Sequence, residues 1–118
     1  MLWTTRDQWW TGARFAPRRW QGEALPAAVA KLSAQIPSIT HAVMGSGKSL
    51  VLTELAATAR PTRGEHVIVT TSSVALVDQL WGDLAARLGP TNVGRFYTHR
   101  KEATRPWIVC CDDSVGKL

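Results

Sequence analysis

Residues 42–49, Ala-Val-Met-Gly-Ser-Gly-Lys-Ser, set two glycines, a lysine and a hydroxyl at a spacing that suits a phosphate group. The general pattern is G-x-x-x-x-G-K-[ST], with Ala42 here at the first glycine. A loop that wraps a phosphate must turn successive backbone N–H groups inward, and Gly45 and Gly47 permit that backbone. Lys48 would reach the outer phosphates of a nucleotide, and the Ser49 hydroxyl would ligate magnesium. A helix starting at this point adds unpaired N–H groups and the positive end of its dipole. Contacts to the nucleotide then come from Met44, Gly45, Ser46, Gly47, Lys48, Ser49 and Leu50. The alternative is a chance match in a Gly-Ser turn, and the flanking elements bear on the choice.

Those flanks fit a phosphate loop. Residues 39–44 (ITHAVM) read as a short buried strand, and residues 49–59 (SLVLTELAATA) as an apolar helix. Upstream, QGEALPAAVAKLSAQ from Gln21 carries Ala24, Leu25, Ala28, Val29 and Leu32 at helical spacing. Pro26 must then sit in the first turn or cause a kink, and Pro37 closes the helix. After a PTRGE loop, HVIVTT (66–71) is a β-branched strand. SSVALVDQLWGDLAARLGP gives the clearest helix, capped by Ser72 or Ser73 and stopped by Gly89-Pro90. Its apolar stripe is Val74, Leu76, Val77, Leu80, Leu84 and Leu88. VGRFYT (93–98) reads as a short strand, the stretch to Pro106 as a basic loop, either solvated or touching phosphates, and WIVCC (107–111) as a last strand. Strands alternating with helices predict a mostly parallel β-sheet flanked by helices, of the α/β class. Residues 1–17 hold Trp3, Trp9, Trp10 and Phe15 without a period. Such a cluster packs onto a neighbouring element or stacks on bases.

The 118 residues make one domain or a piece of one, and 45% apolar residues support a globular core. The net charge of +5 permits nucleic-acid binding and is equally an ordinary solubility feature. Cys110 and Cys111 are adjacent, so on a strand they point to opposite faces and cannot share one metal. They read as two small buried thiols. His41, His66 and His99 share no metal-ligand spacing. The N-terminal residues lack a signal-peptide core, and no apolar run approaches the ~20 residues of a bilayer span. The expectation is a soluble cytoplasmic protein with no membrane partner. Arg over Lys and abundant Ala hint at a GC-rich bacterial or phage genome.

The phosphate loop in its A-x-x-G-x-G-K-[ST] form resembles the first motif of superfamily 2 helicases and translocases, the group that contains DEAD-like helicases and the motor subunits of restriction enzymes. Arg18-Arg19-Trp20-Gln21-Gly22-Glu23-Ala24 is similar to the R-x-aromatic-Q-x-x-A segment that opens many of these motors. That segment's glutamine contacts the adenine edge, which implies an adenine-reading role for Gln21, with Arg18 as the segment's arginine. An amide supplies both a donor and an acceptor for such an edge, while the alternative for this stretch is a solvated helix start. VIVTTSSVALVDQLWGDL is similar to the family's motif Ia, a strand followed by P-T-x-x-L-x-x-Q. Ser72 stands at its Pro, Ser73 at its Thr, Leu76 at its Leu and Gln79 at its Gln. The resemblance implies that Ser72 and Ser73 hold a nucleic-acid backbone at a helix N-terminus; a plain N-cap role is compatible with that.

WIVCCDDSVGKL permits two readings. An apolar strand ending in Asp112-Asp113 loosely fits a magnesium-binding acidic motif. The same stretch resembles the family's "ivvaT-x-x-S-L" strand-turn, with Ser114-Val115 at the Ser-Leu position and Ser114 facing nucleic acid. Three points favour the second. Asp112 comes 64 residues after Lys48, where the family places a further strand and helix before its acidic motif. The Ser-Val turn matches, and the acidic motif normally has Glu second, which leaves Asp113 one methylene short. Asp112 itself departs from the usual Thr or Ser. The resemblance implies that residues 18–118 form the N-terminal portion of a RecA-like P-loop domain, preceded by a Trp-rich segment over 1–17. It implies ATP and Mg2+ as cofactors, with nucleic acid (DNA rather than RNA) and a second RecA-like domain as partners. The expected function is the ATP-binding portion of an ATP-dependent helicase or translocase. The acidic motif and the arginine fingers are expected outside these residues, so the chain alone would be inactive or nearly so. A freestanding P-loop module and a small ATPase using Asp112/Asp113 remain as alternatives.

Overall fold

Trp107 to Cys111 is buried at every position, the pattern of a strand covered on both faces. In the computed structural model this strand is an inner strand of the main sheet. The structure describes residues 2–4, 8–11, 17–35, 48–98 and 100–118. In chain order they form β1 (Leu2–Trp3), α1 (Arg19–Ser33), α2 (Lys48–Thr58), β2 (Ala59–Arg60), β3 (Val67–Thr71), α3 (Val74–Leu88), β4 (Val93–Tyr97), β5 (Arg100–Lys101) and β6 (Trp107–Cys111). A 3-10 helix follows over Asp112–Lys117.

The main sheet has the order β3-β6-β4-β5. β3 and β4 run parallel to β6, in registers that set Val69 and Arg95 on either side of Val109. β5 returns antiparallel along β4, pairing Phe96 with Lys101 and Tyr97 with Arg100. The α/β class and the mostly parallel sheet therefore hold. The stretch after Tyr97 differs from the expected loop, because Arg100 and Lys101 form a short hairpin strand. A Lys101 ammonium 4.8 Å from the Phe96 ring centroid helps to hold it. Outside this sheet β1 pairs antiparallel with β2.

Alternation along the strands divides the core in two. Val69, Val93, Tyr97, Trp107, Val109 and Cys111 pack with Val77, Leu80 and Leu84 of α3 and with Ala56 of α2. Phe96, Ile108 and Cys110 form a smaller cluster on the other face, with Ala103 against it. The two cysteines thus lie on opposite faces, both buried and free. The indoles act as bolts between layers: Trp107 Nε1 donates to Ala56 O at 2.8 Å, and Trp81 Nε1 donates to Val93 O at 2.8 Å.

α3 begins and ends where its caps predict. Ser73 Oγ accepts the Leu76 N–H at 3.2 Å, and Gly89 terminates the helix at φ 95°. Its apolar stripe is narrower than expected. Val74 and Leu76 are each 42% exposed, because the first turn projects past the last paired residue of β3. α1 starts at Arg19, two residues before Gln21, so Pro26 lies inside the helix and not in its first turn. The expected strand 39–44 and the helix-closing Pro37 lie outside the described residues. No helix among the described residues is long and apolar enough to cross a membrane.

Candidate nucleotide and nucleic-acid site

Because β3, β6 and β4 are parallel, the residues that follow them emerge on one edge of the sheet. Thr71 and Cys111 are paired, so Ser72-Ser73 and Asp112-Asp113-Ser114 continue side by side from neighbouring strands. Ligands of open parallel sheets bind at this carboxyl edge. Ser72 is exposed there. Ser73 is half-buried, and its hydroxyl, having accepted from Leu76 N–H, still has its own proton to donate. Asp112 and Asp113 are exposed, whereas Ser114 is 6% exposed and turned into the fold. Among the described residues no group of three or more His, Cys, Asp or Glu side chains is placed to hold a metal ion.

The phosphate-loop residues Met44, Gly45, Ser46 and Gly47 lie outside the described residues. Lys48 and Ser49 are placed by their backbone as the first two residues of α2, and Leu50 follows, half-buried. Lys48 is the first described residue of α2, and residues 48–51 contain no acid. A helix N-terminus in this part of the chain, with no carboxylate competing, would suit a bound anion. Trp107, the first residue of β6, fixes the last turn of α2 at the edge where the strands begin. Lys48 lies eight residues, about 12 Å of helix, before that contact.

Gln21 is 2% exposed, and its Oε1 accepts the Arg18 N–H at 2.6 Å. Its carbonyl oxygen thus caps the start of α1, with Arg18 itself exposed as the N-cap. The cationic stretch after Tyr97 is largely engaged within the fold. Arg105 donates to Pro90 O and Val93 O at 2.8 and 3.2 Å, and both Arg105 and Arg100 pair with Glu102.

One residue escaped the sequence reading. Glu54 of α2 is 1% exposed and pairs with Arg87 of α3, Nη2 to Oε1 at 3.2 Å and Nε to Oε2 at 3.4 Å. The backbone N–H of Trp10 donates to the same Oε1 at 2.7 Å. Its signal was available, since a lone carboxylate in an otherwise apolar helix needs a cation when that helix is buried. No protein-family model and no curated protein matches the chain, so a functional reading stands on its own residues and their placement.

Proposed function

We propose that the chain binds ATP with magnesium through residues 44–50 and forms part of a RecA-like domain of a nucleic-acid helicase or translocase. The observation that carries this reading is that Lys48 and Ser49, which follow Gly45-Ser46-Gly47 in sequence, lie in helix α2 with no acid among residues 48–51. The mostly parallel α/β sheet is compatible with such a domain. In this proposal Lys48 neutralises the outer phosphates, Ser49 ligates magnesium, and the first amides of α2 hold phosphate oxygens. ATP supplies the phosphoryl-transfer energy when bound. Ser72 and Ser73 hold the nucleic-acid backbone through a hydroxyl and the N-terminus of α3. Asp112 and Asp113, exposed at the same edge, repel phosphates and so direct the backbone towards the Ser72 side.

Calorimetric titration with Mg-ATP tests the reading. Binding is expected in the intact chain and is lost in Lys48→Ala, without measurable turnover in either. Unchanged affinity in Lys48→Ala would refute it. The exposure of Asp112 and Asp113 at a strand end favours one second reading, a small self-sufficient ATPase. Turnover that disappears in Asp112→Asn identifies that case.

A further inference from the structure

Thr4 and Trp10 tie the N-terminal segment to α2 at two separate points. The Thr4 N–H donates to Thr58 O at 2.8 Å, beside the β1–β2 pairing. The Trp10 N–H donates to Glu54 Oε1 at 2.7 Å. Glu54 and Thr58 are four residues apart, so both contacts run along one side of the helix. Trp10 holds a left-handed φ of 65°, a costly backbone for a bulky L-residue that persists only where its surroundings impose it. The buried Glu54 carboxylate is such a surrounding. It needs donors, Arg87 supplies two, and the strained amide supplies a third. Trp3 also forms one wall of a groove of about 350 Å3 lined by Leu32, Leu52 and Ile68.

We propose that the segment carrying Thr4 and Trp10 is a strap latched by Glu54, and that seating of the strap is linked to nucleotide binding at the opposite end of α2. The second half rests on the nucleotide reading above. α2 is a single helix with Lys48 at its start and Glu54 and Thr58 in its later turns. The strap, Arg87 and Trp107 all hold the later turns, and a phosphate would hold the first. A rigid element biased from both ends couples them, and the coupling is reciprocal. A seated strap raises nucleotide affinity by the factor by which nucleotide raises strap protection.

Amide exchange at Thr4, read by NMR on the full chain, reports strap seating from a position remote from the latch. Trp10→Ala, Trp10→Gly and Trp10→Pro all delete the indole and differ in backbone alone. Glycine accepts the left-handed φ and is expected to raise Thr4 protection about two- to fivefold over alanine. Proline has no N–H and a fixed negative φ, and is expected to lower it at least about tenfold. The Val109 amide in β6 serves as control and should remain protected. Should the proline variant not fold, Glu54→Gln keeps an acceptor oxygen without the charge, and an approximately fivefold loss at Thr4 is expected. Equal Thr4 protection in the alanine, glycine and proline variants, or an unaffected Thr4 in Glu54→Gln, overturns the latch. For the link, Mg-ATP affinity should fall about fivefold in Trp10→Pro relative to Trp10→Ala. Equal affinities overturn the link while leaving the nucleotide reading standing. Absence of binding in the unmutated chain overturns both of those, and Thr4 exchange still decides the latch.

Discussion

Arg95 of β4 sits over the Trp81 ring of α3, its guanidinium carbon 4.1 Å from the ring centroid, and reaches Asp78 Oδ1 at 3.2 Å. The Tyr97 hydroxyl donates to the same carboxylate oxygen at 3.1 Å. A helix and a strand are thus joined by a stack and a shared acceptor. Arg95→Lys keeps the charge but loses the planar fork and most of the stack. A loss of about 1 kcal/mol in urea unfolding is expected, and an unchanged midpoint would show that the stack contributes nothing.

Gly94 is set by space. A Cβ built there falls 2.3 Å from Glu102 O, a backbone atom of the segment that packs over β4. Since Glu102 N–H also donates to Arg95 O, that segment cannot withdraw without breaking its own pairing. Gly94→Ala is expected to cost about 1–3 kcal/mol by overpacking. Thermal melts should show the loss, along with weaker protection of the β4–β5 amides.

Arg87 neutralises a carboxylate that has almost no contact with water. In Arg87→Met the stem packs as before while Glu54 loses its cation, and about 3–5 kcal/mol of stability is expected to go with it. The double variant Arg87→Met/Glu54→Leu should recover much of that loss, because no charge is left buried. Equal stability of the single and double variants would count against the pair.

Ser73 and Ser72 separate capping from surface. Ser73→Ala removes the acceptor for Leu76 N–H and should cost about 1 kcal/mol; Ser72→Ala should be nearly silent in unfolding. If the edge holds nucleic acid, both variants weaken single-strand binding in a fluorescence-anisotropy titration, including the one that leaves stability unchanged.

Burial pushes the Cys110 thiol above its ordinary value of 9.0, with Cys111 and Asp112 adding to the shift. The sign follows from which state keeps the proton. The folded chain retains it more tightly, so this contribution to stability is complete below pH 9 and declines as the pH rises past that value. Unfolding midpoints should therefore drop above pH 9 and drop less in Cys110→Ala. At neutral pH an alkylating reagent should leave both cysteines unmodified until denaturant is added.

The parts of the fold legible in the sequence are those whose signal is local. Ser73 and Gly89 mark the ends of α3 by chemistry that acts within one turn, and VIVTT and WIVCC are β-branched or apolar throughout. β1, β2 and β5 escaped, since two residues carry no period and their pairing depends on partners far along the chain. The charged Arg100-Lys101 reads as loop for the same reason. Gln21 and Glu54 show the corresponding limit for the candidate site. Their residue types were visible, but burial is a property of the assembled layers, and it turns one into a helix cap and the other into half of an ion pair. Ser114 likewise fits its motif while its side chain points inward.

β6 is synthesised after β3 and β4 and is the strand that touches both of these parallel neighbours. Among the described residues, β3 and β4 have no parallel partner until residues 107–111 leave the ribosome, although α3 between them can already coil. The β3-β6-β4 ladder therefore forms by insertion of β6 between two earlier strands, a non-local step that slows folding. Val69, Val93 and the α3 stripe wait uncovered in the nascent chain, and this interval is where a chaperone would have its greatest effect on yield.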